Sequence, residues 1–262
     1  MNLNIHTVFK LRENILFLEE WIDYHLSIGF NKFYLYDNSE SIGVDGSTLD
    51  VNKYGYNFKQ ITQYLSQIDI EKRFSKLLEK YKKEIVYIKW EPKDLDGNIV
   101  YAQNESIIDY ITNYSRKADW TAFIDMDEFI FSQKCLKALL NECNNKGIGD
   151  IVLLQKKFDD RFNNLNKPVS HIVACIEGIN TTRWAPKHLL KNSCFDLNTS
   201  RWWNIHSLPI KNCYSLLADI KKLRFNHYNT NNYQFQWMKS FYNTDIEFKL
   251  NAECYELYNQ YH

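Results

Sequence analysis

The strongest constraint in this sequence is an alternation of two periods. A β-rich run at residues 4–11, NIHTVFKL, gives way to ENILFLEEWIDYHLSIGF, where Leu18, Ile22, His25 and Gly29 fall on one side at helical spacing, with Trp21 and Ile28 beside them. Gly29 is the expected helix stop, because a glycine tolerates the positive φ that closes many helices. KFYLYD at 32–37 returns to a short buried strand and breaks in DNSESIGVDGST, a loop by its Asn, Asp, Ser and Gly content. The pattern continues with a helical segment near 58–82, a strand EIVYIKW at 84–90, a turn EPKDLDGN, a helix near 99–117 and a strand ending in WTAFIDMDEF. Strands that alternate with helices fold as a mainly parallel α/β sheet, covered by helices on both faces and joined by right-handed crossovers. Ligands of such sheets gather beyond the carboxyl ends of the strands. Asp37-Asn38 and Asp125-Met126-Asp127 both fall at such ends, so they are expected to face one crevice.

Beyond residue 150 the pattern is less regular. DIVLLQKKF reads as one more strand, no domain boundary is visible, and the second half is expected to elaborate the same sheet within a single domain, 1–262. Formal net charge is zero, which gives no electrostatic footprint for a nucleic-acid partner. No segment has the length and apolarity of a membrane span or a signal peptide, and the cysteines are scattered without a CxxC pair. The expectation is a soluble, cytoplasmic protein with reduced cysteines.

FIDMDEF at 123–129 sets Asp125, Asp127 and Glu128 between apolar pairs. Buried carboxylates tend to protonate unless a cation or water keeps them charged. Asp-x-Asp at a strand end meets that need with Mn²⁺ or Mg²⁺, which bridges substrate phosphates through hard oxygen ligands. The alternative is that Asp125 or Glu128 caps a helix beginning in DEFIFSQKCLKALL. Two chemistries use the acidic motif. A phosphohydrolase of the haloacid-dehalogenase type is disfavoured by Phe129, which stands where a Thr or Val is usual. Transfer of a sugar from a nucleotide sugar needs the ion to neutralise a departing diphosphate, and no glycine-rich phosphate loop is present to do so instead.

Several blocks in order resemble glycosyltransferase family 92 and its family-2-like neighbours. They are LRENILFLEEWIDYHLSIGFNKFYLYDNSE with its E-W-x-x-Y-H, YAQNESIIDYI followed by DWTAFIDMDEFI, then KHLLK, WWNIHSLP and FNHYNTNNYQFQWMK. The resemblance implies a GT-A (Rossmann-like) fold, with residues 1–130 holding the nucleotide-sugar donor and 131–262 the glycan or glycoconjugate acceptor. It further implies a divalent ion and an inverting transfer of a hexose, commonly galactose from its UDP form. Its opening here is Arg12-Glu13-Asn14 rather than the more usual Lys-Asn-Glu. The competing reading is a catalytically silent carbohydrate- or nucleotide-binding protein of the same fold.

By that resemblance Arg12, Glu13, Asp37, Gln103, Asp125 and Lys191 line the donor site, with Lys187 and Lys239 as further cations for the diphosphate. Asp37 would accept from the nucleobase, unless it serves only its own turn. Asp125 and Asp127 would hold the metal, completed by His227 or alternatively by His206, with Glu128 behind them. Inversion needs a base for the acceptor hydroxyl. Asp159, Asp160 and Glu177 are carboxylates in the acceptor half, and spacing does not choose among them. Trp202-Trp203 and Trp184 are candidate sugar-stacking aromatics.

Overall fold

The computed structural model describes residues 1–41, 65–159, 174–177, 185–230 and 247–250. The chain begins with β1 (Leu3–Phe9), a helical turn α1 (Leu11–Asn14), α2 (Leu18–Ser27) and β2 (Lys32–Asp37). It continues through α3 (Gln67–Lys80), β3 (Ile85–Lys89), α4 (Gln103–Asn113) and β4 (Trp120–Phe123). Of the helix expected near 58–82, positions 58–64 lie outside the described residues. Then come β5 (Glu128–Ser132), α5 (Leu136–Asn145), β6 (Ile148–Leu153), β7 (Gln155–Asp159) and β8 (Ala174–Glu177). The last described elements are β9 (Lys187–Lys191), β10 (Tyr214–Leu217), β11 (Leu223–Thr230) and β12 (Glu247–Leu250).

Seven strands form a sheet in the order β10-β6-β9-β4-β1-β2-β3. Neighbours are parallel except around β9, which runs antiparallel to both β4 and β6. This is the expected mixed, mainly parallel sheet. Side-chain alternation sorts its two faces. Leu3, Ile5, Phe33 and Leu35 pack with Leu18, Trp21 and Ile22 of α2, Phe74 and Leu77 of α3 and Leu140 of α5. Val8, Tyr34, Tyr36 and Phe123 pack on the other face with Ile107, Tyr110 and Ile111 of α4. Helices therefore cover both faces. Gly29 ends α2 as expected, with φ +108. The Gly29 N–H donates to Leu26 O and the Phe30 N–H to His25 O, the paired bonds of a Schellman close.

The second half departs from the expectation of one continued sheet. A separate five-stranded sheet has the order β12-β8-β7-β11-β5. DIVLLQKKF is two strands, β6 in the first sheet and β7 in the second, and the carbonyl of Leu154 between them accepts from the Phe225 N–H of β11. DEFIFSQKCLKALL is likewise divided, since strand β5 precedes α5, so the acidic turn caps no helix. Among the described residues no helix is long and apolar enough to cross a membrane. Cys135, Cys143, Cys194 and Cys213 are free thiols.

Two buried histidines tie stability to pH. His25 Nδ1 lies 2.8 Å from Trp21 O while Nε2 accepts the Ile130 N–H, so the neutral ring satisfies both partners. His6 is enclosed beneath α4, with Nε2 beside Ser106 Oγ at 3.1 Å. Burial lowers each pKa to about 3. Because the folded value lies below the unfolded one, the unfolded chain binds the extra proton first, and stability falls as pH drops from about 6.5 toward 3. Each histidine should remove about 2 kcal/mol between pH 7 and 5. Urea midpoints at the two pH values check this, and equal midpoints would contradict it.

Candidate active site

The acidic turn is the point at which the chain leaves one sheet for the other. Ile124 and Met126 are buried and pin it from below. The Asp125 N–H donates to Glu128 Oε2 at 2.9 Å and the Glu128 N–H returns to Asp125 O at 3.1 Å, closing the turn on itself. Helix α2 then holds β5 through three side chains of the E-W-x-x-Y-H block. Trp21 Nε1 donates to Glu128 O and Tyr24 Oη to Ile130 O, both at 2.8 Å, and His25 Nε2 accepts from Ile130 N. The block therefore supports the site from behind.

β11 delivers the histidine. It pairs antiparallel with β5 in a register that sets His227 opposite Glu128, and the Tyr228 N–H donates to Asp127 O at 3.0 Å. His227 Nε2 lies 3.4 Å from Asp127 Oδ2, and its Nδ1 lies 3.9 Å from Glu128 Oε1 and 3.0 Å from Gln155 Oε1. Asp127, Glu128 and His227 each offer a ligand atom, and these atoms lie within 4.8 Å of one another. Burial pushes Asp127 upward, but His227 together with Lys187 and a backbone hydrogen bond more than reverses this and holds it below the usual carboxylate range. Burial raises Glu128 well above that range, with Asp125 and Asp127 adding to the rise and Lys187 opposing it. Two carboxylate oxygens and an imidazole can hold a divalent cation, which would offset the charge that burial makes unfavourable here. The donor set fits such an ion.

Asp125 sits outside that group of three. Its Oδ2 is 2.5 Å from Lys187 Nζ, and its Oδ1 accepts from Gln103 Nε2 at 3.3 Å. Lys187 is itself buried and lies 3.4 Å from Glu128 Oε2. Burial lowers its pKa, and the charges of Asp125 and Glu128 more than reverse this, so the ammonium persists. The residues that carry these partners follow strained backbone: Ala102, just before Gln103, has φ +44, and Ala185, two residues before Lys187, has φ +52. Left-handed alanine costs about 1–2 kcal/mol, and here it aims both segments at Asp125.

Residues 55–255 match the model of a family described as glycosyltransferase family 92. The chain belongs to glycosyltransferase family 92. No match was found among curated proteins. Among solved structures it is similar to S. aureus TarS 1-349, with 12% identity and a TM-score of 0.37 over 74% of this chain and 48% of that one. It is also similar to glucosyl-3-phosphoglycerate synthase from Mycobacterium tuberculosis in complex with Mn²⁺, UDP and glucosyl-3-phosphoglycerate, with 12% identity and a TM-score of 0.29 over 66% of this chain and 47% of that one. The chain thus spans about half the length of each.

The remaining expected residues of this family 92 chain fall as follows. Asp37 ends β2 on the same sheet edge, but its carboxylate is engaged locally: Oδ1 accepts from Ser39 N and Oγ, and Oδ2 from Tyr87 Oη at 2.8 Å. Arg12, on α1, donates to Gln67 Oε1 at 2.9 Å and tethers the start of α3. The Glu13 side chain lies outside the described residues. Lys191 is not brought to Asp125. It pairs with Trp120 at the far end of β9, and the register that sets His188 opposite Phe123 brings Lys187 there instead. His206 is separate from the His227 group and bonds Pro186 O. Asp159 and Glu177 lie on β7 and β8, their side chains outside the description, as are Asp160, Trp184 and Lys239 altogether. Glu128, expected behind the two aspartates, is buried at the start of β5 and joins Asp127 and His227 in the group of three, as its place between apolar pairs in the sequence allows.

Proposed function

We propose that this family 92 enzyme moves a hexose from a nucleotide sugar, UDP-linked and in the first instance UDP-galactose, to a hydroxyl of a glycan acceptor with inversion. The convergence of Asp127, Glu128 and His227 beside the Lys187–Asp125 pair supports this reading most directly. On this reading Asp127, Glu128 and His227 hold Mn²⁺ or Mg²⁺. When bound, the ion supplies positive charge to the departing diphosphate. Lys187, fixed by Asp125, adds a second positive charge on the same side. Gln103 and Asp125 then present a donor–acceptor pair toward the ribose. The first half of the single domain, residues 1–130, contributes the donor site, and residues 131–262 return His227 and Lys187 to it while building the acceptor side.

Thermal unfolding with UDP, UDP-galactose, UDP-glucose and UDP-GlcNAc, each with and without Mn²⁺, tests the proposal. A ligand at 100 times its Kd stabilises by about 2.7 kcal/mol, or roughly 5–10 °C for a domain of this size. The shift is expected only when nucleotide and Mn²⁺ are present together. No shift with any of the four would overturn the donor assignment, and binding without UDP release in the presence of glycan acceptors would favour a silent binding protein.

A further inference from the structure

We propose that His206 is the base that takes the proton from the acceptor hydroxyl; the proposal rests on the inverting transferase reading above. It begins from the separation of the two late histidines. His227 belongs with Asp127 and Glu128, whereas His206 stands on a different loop, on the Lys187 and Asp125 side of the site.

That loop is held tightly. Phe195 and Ile210 bridge its base, the Asp196 N–H donates to Pro209 O at 3.0 Å, and Ile205 and Leu208 are buried. Two bonds fasten it on either side of Asp125. Asn104, next to Gln103, donates to Trp203 O at 3.0 Å, and His206 Nδ1 lies 3.0 Å from Pro186 O, next to Lys187. The backbone N–H of His206 is held by Asn204 Oδ1 at 2.9 Å.

These contacts fix the chemistry of the ring. A carbonyl only accepts, so the Pro186 contact places the proton on Nδ1 and leaves the lone pair on Nε2. No partner for Nε2 is found among the described residues, and His206 is only half-buried. The ring is neutral near pH 7: burial lowers its pKa to about 4, with the Lys187 charge adding to the fall and Pro186 and Asp125 opposing it. A diphosphate beside Lys187 would offset that cation and strengthen the base where the reaction needs it. Four residues earlier on the same loop, Trp202 is 82% exposed. Its indole offers the flat apolar surface on which a sugar ring stacks, so the loop that carries the base also has a seat for the acceptor.

The step balances. The acceptor O–H bond breaks and its proton passes to Nε2, while the oxygen forms a bond to the anomeric carbon. The bond from that carbon to the phosphate oxygen breaks, and its electron pair leaves with the nucleoside diphosphate. The imidazolium then loses its proton to solvent.

UDP release from UDP-galactose in Mn²⁺, with water as the acceptor, tests the role without knowledge of the glycan. His206→Ala is expected to slow release by about 10²–10⁴-fold, leave the affinity for UDP and Mn²⁺ by calorimetry unchanged, and recover part of the rate on addition of imidazole. If alanine loosens the loop, His206→Gln keeps a donor for Pro186 O and carries the same comparison. A rate within threefold of wild type, or a fall matched by lost UDP affinity, overturns the assignment and leaves the transferase reading standing. Wild-type protein that releases UDP from none of UDP-galactose, UDP-glucose or UDP-GlcNAc would instead overturn that reading, and this one with it.

Discussion

Asp127→Ala should lower sugar transfer by about 10³-fold or more while leaving the fold in place. Asp127 and His227 meet across the join between the two sheets, with Oδ2 and Nε2 3.4 Å apart, and Glu128 closes the group. On the proposed reading, removing one of three ligands would take with it the charge that a bound cation brings to the leaving group. Such charge is worth several kcal/mol in the transition state, and each 1.36 kcal/mol is about tenfold in rate. Stability responds far less. The Asp127 side chain is 22% exposed, and a partly solvated ion pair contributes about 1 kcal/mol at most. The measurement is transfer or UDP release alongside a urea melt. Unchanged turnover would remove Asp127 from the site, and a melt collapsed by several kcal/mol would make its role structural. Loss of the Mn²⁺-dependent thermal shift in the variant, with the ion-free midpoint kept, separates those cases a second time.

The features legible in the sequence are those set by short-range periodicity. The strand expected at 32–37 coincides with β2, Gly29 closes α2, and the acidic turn stands at the end of β4, because burial on one or two faces leaves a pattern within a few residues. The partition between two sheets left no such pattern. Leu154 differs from its apolar neighbours only in where its carbonyl goes, to Phe225 more than sixty positions away. β5 was ambiguous for a related reason, since an apolar run following an acidic turn suits a strand and a helix start equally. The two lysines of β9 illustrate the limit most sharply. Lys187 and Lys191 lie on one face of one strand, and only the register against β4 decides which of them reaches Asp125. Trp21, Tyr24 and His25 were visible as a helix stripe, yet their bonds to β5 depend on how α2 packs across the sheet.

Lys187→Met should cost about 3–5 kcal/mol of folding stability, the range for removing one partner of a buried ion pair, or roughly 10 °C in melting temperature. Methionine retains the apolar stem, so the loss reports the charge and not a cavity. Lys187 is 1% exposed and faces Asp125 at 2.5 Å and Glu128 at 3.4 Å, and Glu128 is equally buried. Without the ammonium, those carboxylates have Gln103, the Asp125 N–H and the more distant His227 to answer two charges. Glu128, already pushed up by burial, would then take a proton. Two further arms distinguish this electrostatic account from loose packing. Lys187→Met combined with Glu128→Gln should be more stable than Lys187→Met alone, because the second change removes a carboxylate that no longer has its cation. Saturating Mn²⁺ should restore part of the loss in the single variant and little in the double one, since the ion replaces the missing charge only where Glu128 can hold it. A loss below about 1 kcal/mol in Lys187→Met, within the range of an exposed pair, would show that the lysine is not confined as the geometry requires. A double variant no better than the single one would assign the cost to packing against β9.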